Sequence, residues 1–340
     1  MEPRTFAFIF HSRSVEELKK SYPLFRMVPD FILKSSFRAI TPFKVSQARN
    51  IRSIRGKEAS GFFIDCPLLI EDGQSPEERV ILGKIFAAAA MARKMGAKIL
   101  GIDGSARLLK DNPQALARHL YLPCTDGSAL TAWSVFEAVY RTAKAKGLDL
   151  KKASIAIIDA ADPLANLSAR KLGEYAGRII LNGRDTEKLA ALKDILMNLS
   201  AVEVTIEEMK LRAIREADIT VITGSGAGPI ADMDNFGTDK IICYVSLVAA
   251  LADKLKSLEG VTAVEAGLIK LPYPQELPFN VGLPKDVVSS ALAETMLLAL
   301  EEKFLNYSCG EDIHVDRLEE IADIAAKHGF EVWVPEAPLL

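Results

Sequence analysis

The segment Ile157-Ile158-Asp159-Ala160-Ala161-Asp162-Pro163-Leu164-Ala165-Asn166 joins a strand-like run to a helix-like one. A dinucleotide-binding lobe carries Gly-x-Gly-x-x-Gly at such a junction, because only glycine lets the backbone approach a pyrophosphate at the helix N-terminus. All three glycines are absent here. Asp162 before Pro163 forms an N-cap pair instead, and its carboxylate would accept from the amides that a phosphate needs. Asp159 adds a second negative charge at the strand tip. At about 4 Å a like-charge contact costs about 1 kcal/mol in water and about 4 kcal/mol at an effective dielectric of roughly 20. Both effects oppose a pyrophosphate, unless the loop has shifted and takes a nucleotide in another way. Arg184, in Asn182-Gly183-Arg184-Asp185, stands where a cation meets a ribose 2′-phosphate, or is an exposed loop arginine. Gly224 and Gly226, in Thr223-Gly224-Ser225-Gly226-Ala227-Gly228-Pro229, line a crevice that binds an anion through successive amides, or form a plain connection.

The first third of the chain places polar residues where strands end. His11 follows the first strand-like run, Asp65 ends the second, Asp103 and Ser105 follow the third, and Thr125, Asp126 and Ser128 follow the fourth. The carboxyl ends of parallel strands are where such sheets bind ligands, so these residues are the candidate substrate cleft. Each also has a simpler reading as a cap or turn residue, and Asp126 or Ser128 caps the next helix on either reading. Cys124 sits before that helix, where a helix dipole lowers a thiol's pKa, or is a small apolar strand residue. His11, His119, His314 and His328 show no metal-ligand spacing, and no metal is expected.

These residues need a scaffold, and the periodicity predicts one of α/β class in two lobes. Apolar runs at Thr5–Phe10, Gly61–Cys66, Ala97–Ile102 and Leu120–Cys124 read as strands. A helix from Ser75-Pro76-Glu77-Glu78 to about Met95, with an apolar face of Ile81, Ile85 and Met91, is closed by Gly96. A short helix is expected over Pro113–His119. A helical run over 127–150 joins this N-terminal substrate-type lobe, residues 1–126, to a second series. There, strands at Ala153–Ile158, Arg178–Asn182, Val202–Thr205, Asp218–Thr223 and Lys240–Val245 alternate with helices at Pro163–Tyr175, Thr186–Leu199 and Glu207–Arg215. Such alternation implies a doubly wound parallel sheet, a Rossmann-like lobe over 151–283. Residues 284–340, helical to about Phe304 and again over Val315–His328, are expected to pack across both lobes.

Composition bounds what this scaffold does. The 340 residues are 49% hydrophobic and 26% charged, ordinary for about two globular domains. Forty-two Lys+Arg against 45 Asp+Glu give a net charge of -3 with no basic block that could track a phosphate backbone, so no electrostatic footprint for nucleic acid is expected. The longest apolar stretch, Ile241–Ala252, falls short of the roughly 18 residues of a membrane span, and Phe6–Phe10 is too short for a secretory leader. Cys66, Cys124, Cys243 and Cys309 lack Cys-x-x-Cys spacing and read as free thiols of a reducing compartment. A cytoplasmic location is expected.

Phe279-Asn280-Val281-Gly282-Leu283-Pro284, Leu292–Glu301 and Ala326-Lys327-His328-Gly329-Phe330 resemble the C-terminal region of the long-chain acyl-[acyl-carrier-protein] reductase family, which includes proteins described as shikimate/quinate-dehydrogenase-like or as predicted amino-acid dehydrogenases. The resemblance continues in Phe6–His11, Gly61–Pro67, Ser75–Glu78 and Leu122–Gly127, nearly the whole chain. It implies a substrate lobe joined to a Rossmann lobe. It also implies hydride transfer from NADPH to an acyl thioester held on a cysteine, and Ala291 stands at the matching position. The family's glycine-rich loop falls on Asp159–Ala165. A Thr-Thr-Gly-Asn segment becomes Thr125-Asp126-Gly127-Ser128, and a Gly-Gly pair before a Val-Val-Glu segment becomes Glu265-Ala266-Gly267; Arg184 and His11 persist. The expected protein is a divergent relative without ordinary reductase activity or a bound cofactor. Its interlobe cleft would take a small acyl, acidic or nucleotide-like ligand, or it would act through a partner, with a homo-oligomer as one form. The alternative is an active NAD(P)H-dependent oxidoreductase of an acyl thioester or shikimate-like substrate, with NADP(H) on a rearranged loop. That alternative calls for a Lys and Asp pair, and no lysine stands out in the sequence. Any surviving covalent chemistry would fall to Cys124.

Overall fold

The computed structural model describes residues 4–12, 15–36, 40–68, 77–103, 120–223, 237–245, 249–275, 277, 283–309 and 313–334. The chain divides into two compact units. The first comprises Met1–Ser128, Lys270–Asp312 and Asp323–Glu331, and the second Ala129–Ile269, Ile313–Ala322 and Val332–Leu340.

In the first unit a five-stranded sheet has the order β2-β3-β1-β4-β5. Its strands are β1 (Thr5–Phe10), β2 (Phe43–Arg52), β3 (Glu58–Asp65), β4 (Ile99–Ile102) and β5 (Cys124–Thr125). β3, β1, β4 and β5 run parallel and β2 is antiparallel on the edge. The central β1 is buried over Thr5–Ile9, as a strand covered on both faces must be. Helices α1 (Val15–Ser21) and α2 (Asp30–Ser36) lie between β1 and β2, and α3 (Glu78–Lys94) between β3 and β4. Buried Ile81, Ile85, Ala88 and Ala92 recur at helical spacing on α3 and join Ala7, Ile9, Ile64, Leu100 and Ile102 in one core.

The sheet of the second unit has six parallel strands in the order β11-β10-β9-β6-β7-β8. They are β6 (Ser154–Ile158), β7 (Arg178–Leu181), β8 (Glu203–Ile206), β9 (Ile219–Thr223), β10 (Lys240–Val245) and β11 (Val261–Ala266). The intervening helices are α5 (Pro163–Gly173), α6 (Thr186–Leu199), α7 (Lys210–Glu216) and α8 (Ala249–Ser257), and α4 (Ser128–Ala145) precedes the sheet. Numbered within the unit the order is 3-2-1-4-5-6, the doubly wound arrangement whose switch point lies between β6 and β9. The Rossmann-like class is therefore present.

Several elements depart from the sequence reading. The Pro- and Arg-containing stretch after β1 holds two helices and the ten-residue β2, whose exposed polar positions mask its strand character. The strand expected at Leu120–Cys124 is the two-residue β5, and β11 and α8 had no counterpart. α3 starts at Glu78; its expected Ser75-Pro76 start and the helix over Pro113–His119 lie outside the described residues. The helix expected from Pro284 is a short strand, Val287–Ser289, followed by α9 (Ser290–Leu300). α9 is buried at every position, so its sequence has no amphipathic period to mark its start. It belongs to the first unit, which the chain re-enters at Lys270. α10 (Val315–His328) matches the expected helix, and Gly329, at φ 79°, ends it.

Candidate functional site

The carboxyl ends of β1, β3, β4 and β5 bring His11, Ser12, Asp65, Asp103, Thr125 and Asp126 to one edge of the first unit's sheet. Asp65 is fully buried. Its Oδ2 accepts from Ser12 Oγ at 2.6 Å and from Tyr22 Oη at 2.7 Å, and its Oδ1 from the Ser12 amide at 3.2 Å. Burial raises the Asp65 pKa above the usual carboxylate value, and the Ser12 and Tyr22 bonds oppose that shift without cancelling it. Burial and the Asp65 charge push the Tyr22 phenol up in turn. His11 Nδ1 lies 2.8 Å from the Cys66 carbonyl. A carbonyl only accepts, so Nδ1 carries the proton and Nε2 is the basic atom of the neutral ring. Lys84, on the buried face of α3, donates to the Pro67 carbonyl at 2.5 Å. Burial lowers its pKa, while nearby Cys66 and Asp65 raise it. Desolvation also pushes the Cys66 thiol up to about 12, which makes it a poor nucleophile. Burial thus holds Asp65 towards its protonated form and Lys84 towards its neutral form, in the same part of the unit as the His11 imidazole.

The sequence reading missed Ser12, Tyr22 and Lys84. Only Lys84 left a signal, a lone cation between Ile81 and Ile85 on an apolar face.

The other end of the same edge is a packed network. Buried Glu294 of α9 accepts from Thr125 Oγ1 and, at 2.6 Å, from Ser308 Oγ. Asp126 Oδ1 accepts from the Ser128 amide at 2.9 Å at the start of α4, the capping role expected on either of its readings. Gly127, at φ 78°, lets the chain pass against α9, since a Cβ there would lie 2.2 Å from Ala291 Cα. Ala291, at the position matched to the family cysteine, thus sits in the first turn of α9 against the Asp126-Gly127 turn and is 8% exposed. Cys124 has no exposed surface, and it packs in an apolar cluster with Cys66 and Cys309. Asp103 follows β4 and is half-buried; its amide donates to the Ile9 carbonyl. Ser105, Gly224 and Gly226 lie outside the described residues. Among the described residues no cluster of His, Cys, Asp or Glu could hold a metal, and no helix is long and apolar enough to cross a membrane.

In the second unit the β6–α5 turn is closed upon itself. Asp162 Oδ1 accepts from the amides of Leu164, at 3.0 Å, and Ala165, at 3.3 Å, the two donors its cap position predicts. Asp159 adopts φ 52°, the left-handed region that glycine favours, and its Oδ2 lies 3.5 Å from Lys210 Nζ. The Ala160 amide donates to the Asn182 carbonyl, and Asn182 Nδ2 donates to the carbonyls of Glu207 and Glu208. Arg184 follows this corner on an exposed turn. The anion-binding end of α5 therefore already holds an anion, Asp162's own carboxylate.

No family model matches the chain. It is 23% identical over 312 residues to a long-chain acyl-[acyl-carrier-protein] reductase of Synechococcus elongatus, covering 87% of this chain and 89% of that protein. The chain resembles an acyl-carrier-protein reductase. It is also 21% identical over 292 residues to the aminotransferase PigE of Serratia, spanning 83% of this chain but only 33% of that protein. Among solved structures, shikimate 5-dehydrogenase of Listeria monocytogenes, in complex with shikimate and NAD, aligns over 94% of this chain and 96% of its own at 10% identity, with a TM-score of 0.38. L-tryptophan dehydrogenase of Nostoc punctiforme aligns over 96% and 82% at 12% identity, with a TM-score of 0.40. The Rossmann-like, doubly wound architecture of the second unit stands on its own strand order.

Proposed function

We propose that this chain is a cytoplasmic, divergent relative of the NAD(P)-dependent reductases that does not perform ordinary nicotinamide reduction. It binds a small acyl, acidic or nucleotide-like metabolite at the carboxyl end of the first unit's sheet. His11 and Lys84 supply the cationic or donor groups, and Asp65, fixed by Ser12 and Tyr22, supplies the carboxyl. The observation that carries this reading is the Asp162 carboxylate on the Leu164 and Ala165 amides. A pyrophosphate would have to displace it, forfeiting about 1.5–3 kcal/mol for each charge-assisted contact not regained, enough to move a micromolar site towards millimolar. Calorimetric titration of the purified protein with NADPH and NADH is the test. No saturable binding is expected, and a micromolar dissociation constant for either dinucleotide overturns the proposal.

One observation favours the second reading, an active oxidoreductase on an acyl thioester or shikimate-like substrate. Buried Lys84, close enough to Asp65 for their charges to act on each other, is a Lys and Asp pair of the kind that reading calls for. Micromolar NADPH affinity, together with substrate-dependent NADPH oxidation that Lys84→Met abolishes, would select it.

A further inference from the structure

A second hollow lies in the first unit, at the opposite edge of its sheet. α3 connects the parallel strands β3 and β4 and runs back along them, so its second half stands towards their amino ends. The segment 120–122, which leads into β5, is at the same edge, whereas His11 and Asp65 lie at the carboxyl ends. Phe86, Ala89 and Ala90 of α3 form one wall of a cavity of about 660 Å³, and Leu120, Tyr121 and Leu122 form the other. Ala89 and Ala90 carry only a methyl group each, which leaves the flank of α3 low between the larger Phe86 and Tyr121. Leu120 and Leu122 are buried in the core that includes Ile85, Phe86 packs against it, and the floor is thereby fixed. The Tyr121 ring is 89% exposed. Small ligands occupy cavities of about 300–1,000 Å³ with mostly apolar walls and a few polar groups.

The polar groups here are cations. Arg93 and Lys94, one helical turn beyond Ala89 and Ala90, complete the lining. Both are exposed, and among the described residues neither has an ion pair or a side-chain hydrogen bond. Long basic side chains lay their stems along an apolar wall and keep their charged heads in water. No Asp or Glu occurs between Glu78 and Asp103, or from Leu120 to Thr125. The acids after α9 at this edge are taken: Glu301 by Lys57 and Lys327, and Glu302 by Arg4.

We propose that this cavity binds a small amphiphilic anion, with a compact apolar body against Phe86, Leu120 and Leu122 and a single carboxylate or sulfonate facing Arg93 and Lys94. Burial of the body supplies most of the affinity, and the two cations set its orientation and select its charge. A polyanion or an acidic protein surface would meet the cations and leave the hollow empty. An uncharged apolar molecule would fill the hollow and leave the cations unused. The site is separate from Asp65, His11 and Lys84 and does not rest on the function proposed for them.

The probes are anilinonaphthalene sulfonate, whose fluorescence rises in an apolar site, and phenylnaphthylamine, the same ring system without the sulfonate. Titrated into the full chain, the sulfonate is expected to bind saturably, and more weakly at high salt. Ala90→Trp, at an exposed position on the cavity wall, fills the hollow and should weaken both dyes about tenfold or more. Arg93→Gln/Lys94→Gln should weaken the sulfonate about fivefold or more and leave the uncharged dye unchanged. Both variants change exposed residues and should keep the wild-type circular dichroism spectrum and melting temperature. Absence of saturable sulfonate binding overturns the proposal, as does binding that neither folded variant weakens, which would put the dye elsewhere. A glutamine pair that leaves the sulfonate unaffected, or weakens both dyes alike, removes the role of charge and overturns it too. So does a dimer in solution that Ala90→Trp dissolves, which would mean that a second copy covers the hollow.

Discussion

Asp162 both stabilises α5 and blocks it, so replacing it should move two observables in opposite directions. In Asp162→Ala the amides of Leu164 and Ala165 lose their acceptor, a contact now made at 3.0 and 3.3 Å. Loss of an N-cap costs about 1 kcal/mol, within a range of about 0.5–2. For a unit of this size that lowers the melting temperature by about 2–4 °C. The same change frees two helix N-terminal donors, and one regained charge-assisted contact of about 1.5–3 kcal/mol strengthens pyrophosphate or NADPH binding by about tenfold or more. Asp162→Asn separates the two possible obstacles. Asparagine caps about as well as aspartate, so stability should fall only by the lost charge–dipole interaction, about 0.3–1 kcal/mol. If occupation of the amides is what excludes the dinucleotide, the Asn variant still will not bind it; if repulsion is, it will. Adding Asp159→Gly should relieve the left-handed backbone at φ 52° and release Lys210 from its 3.5 Å pairing towards a phosphate. Scanning calorimetry and NADPH titration on the same preparations read both effects. An Asp162→Ala protein with unchanged melting temperature and unchanged affinity would refute the reasoning.

The remaining expectations concern the first unit and the thiols. All four cysteines are buried, so iodoacetamide should label none in the native protein and all four after unfolding, as mass spectrometry would show; native labelling of Cys124 would revive it as a nucleophile. Glu301 is partly desolvated, but Lys327 at 3.0 Å, His328 and Lys57 at 3.2 Å hold its pKa down to about 2, and burial holds His328 below 6.5. Both folded-state values lie below the unfolded ones. Stability should therefore be complete above pH 6.5 and fall as His328 and then, between 4.5 and about 2, Glu301 are protonated. Partial exposure limits the Glu301 share to about 1–3 kcal/mol. Urea midpoints that stay flat from pH 7 to 3, or an acid slope that Glu301→Gln leaves intact, would contradict this account. Gly127→Ala combines φ 78° with a Cβ 2.2 Å from Ala291 Cα, so it should destabilise by about 2 kcal/mol or more, seen as a lower urea midpoint; a wild-type midpoint would mean that the turn and α9 separate easily.

What the chain's letters determined was local. Strands buried on both faces, such as β6, β9 and β10, read as continuous apolar runs, and Asp162-Pro163 marked a cap because the chemistry of an N-terminus is settled within three residues. The alternation over 151–245 was enough for a doubly wound sheet. Elements with mixed surroundings were not legible. β2 lies on an edge with its polar side chains in water, and α9 is buried all round, so neither shows the period that betrays a half-buried strand or helix. The Asp65 site depended most on tertiary structure. Asp65 is an ordinary strand-end aspartate until β1 and β3 pair in parallel and carry Ser12 alongside it, and until the α1 hairpin folds back to add Tyr22. Lys84 becomes part of the same neighbourhood only when α3 lays its apolar face on the sheet. Partners 17 to 53 residues apart in sequence leave no mark on one another's local pattern, and the desolvation that shifts their pKa values belongs to the packed core.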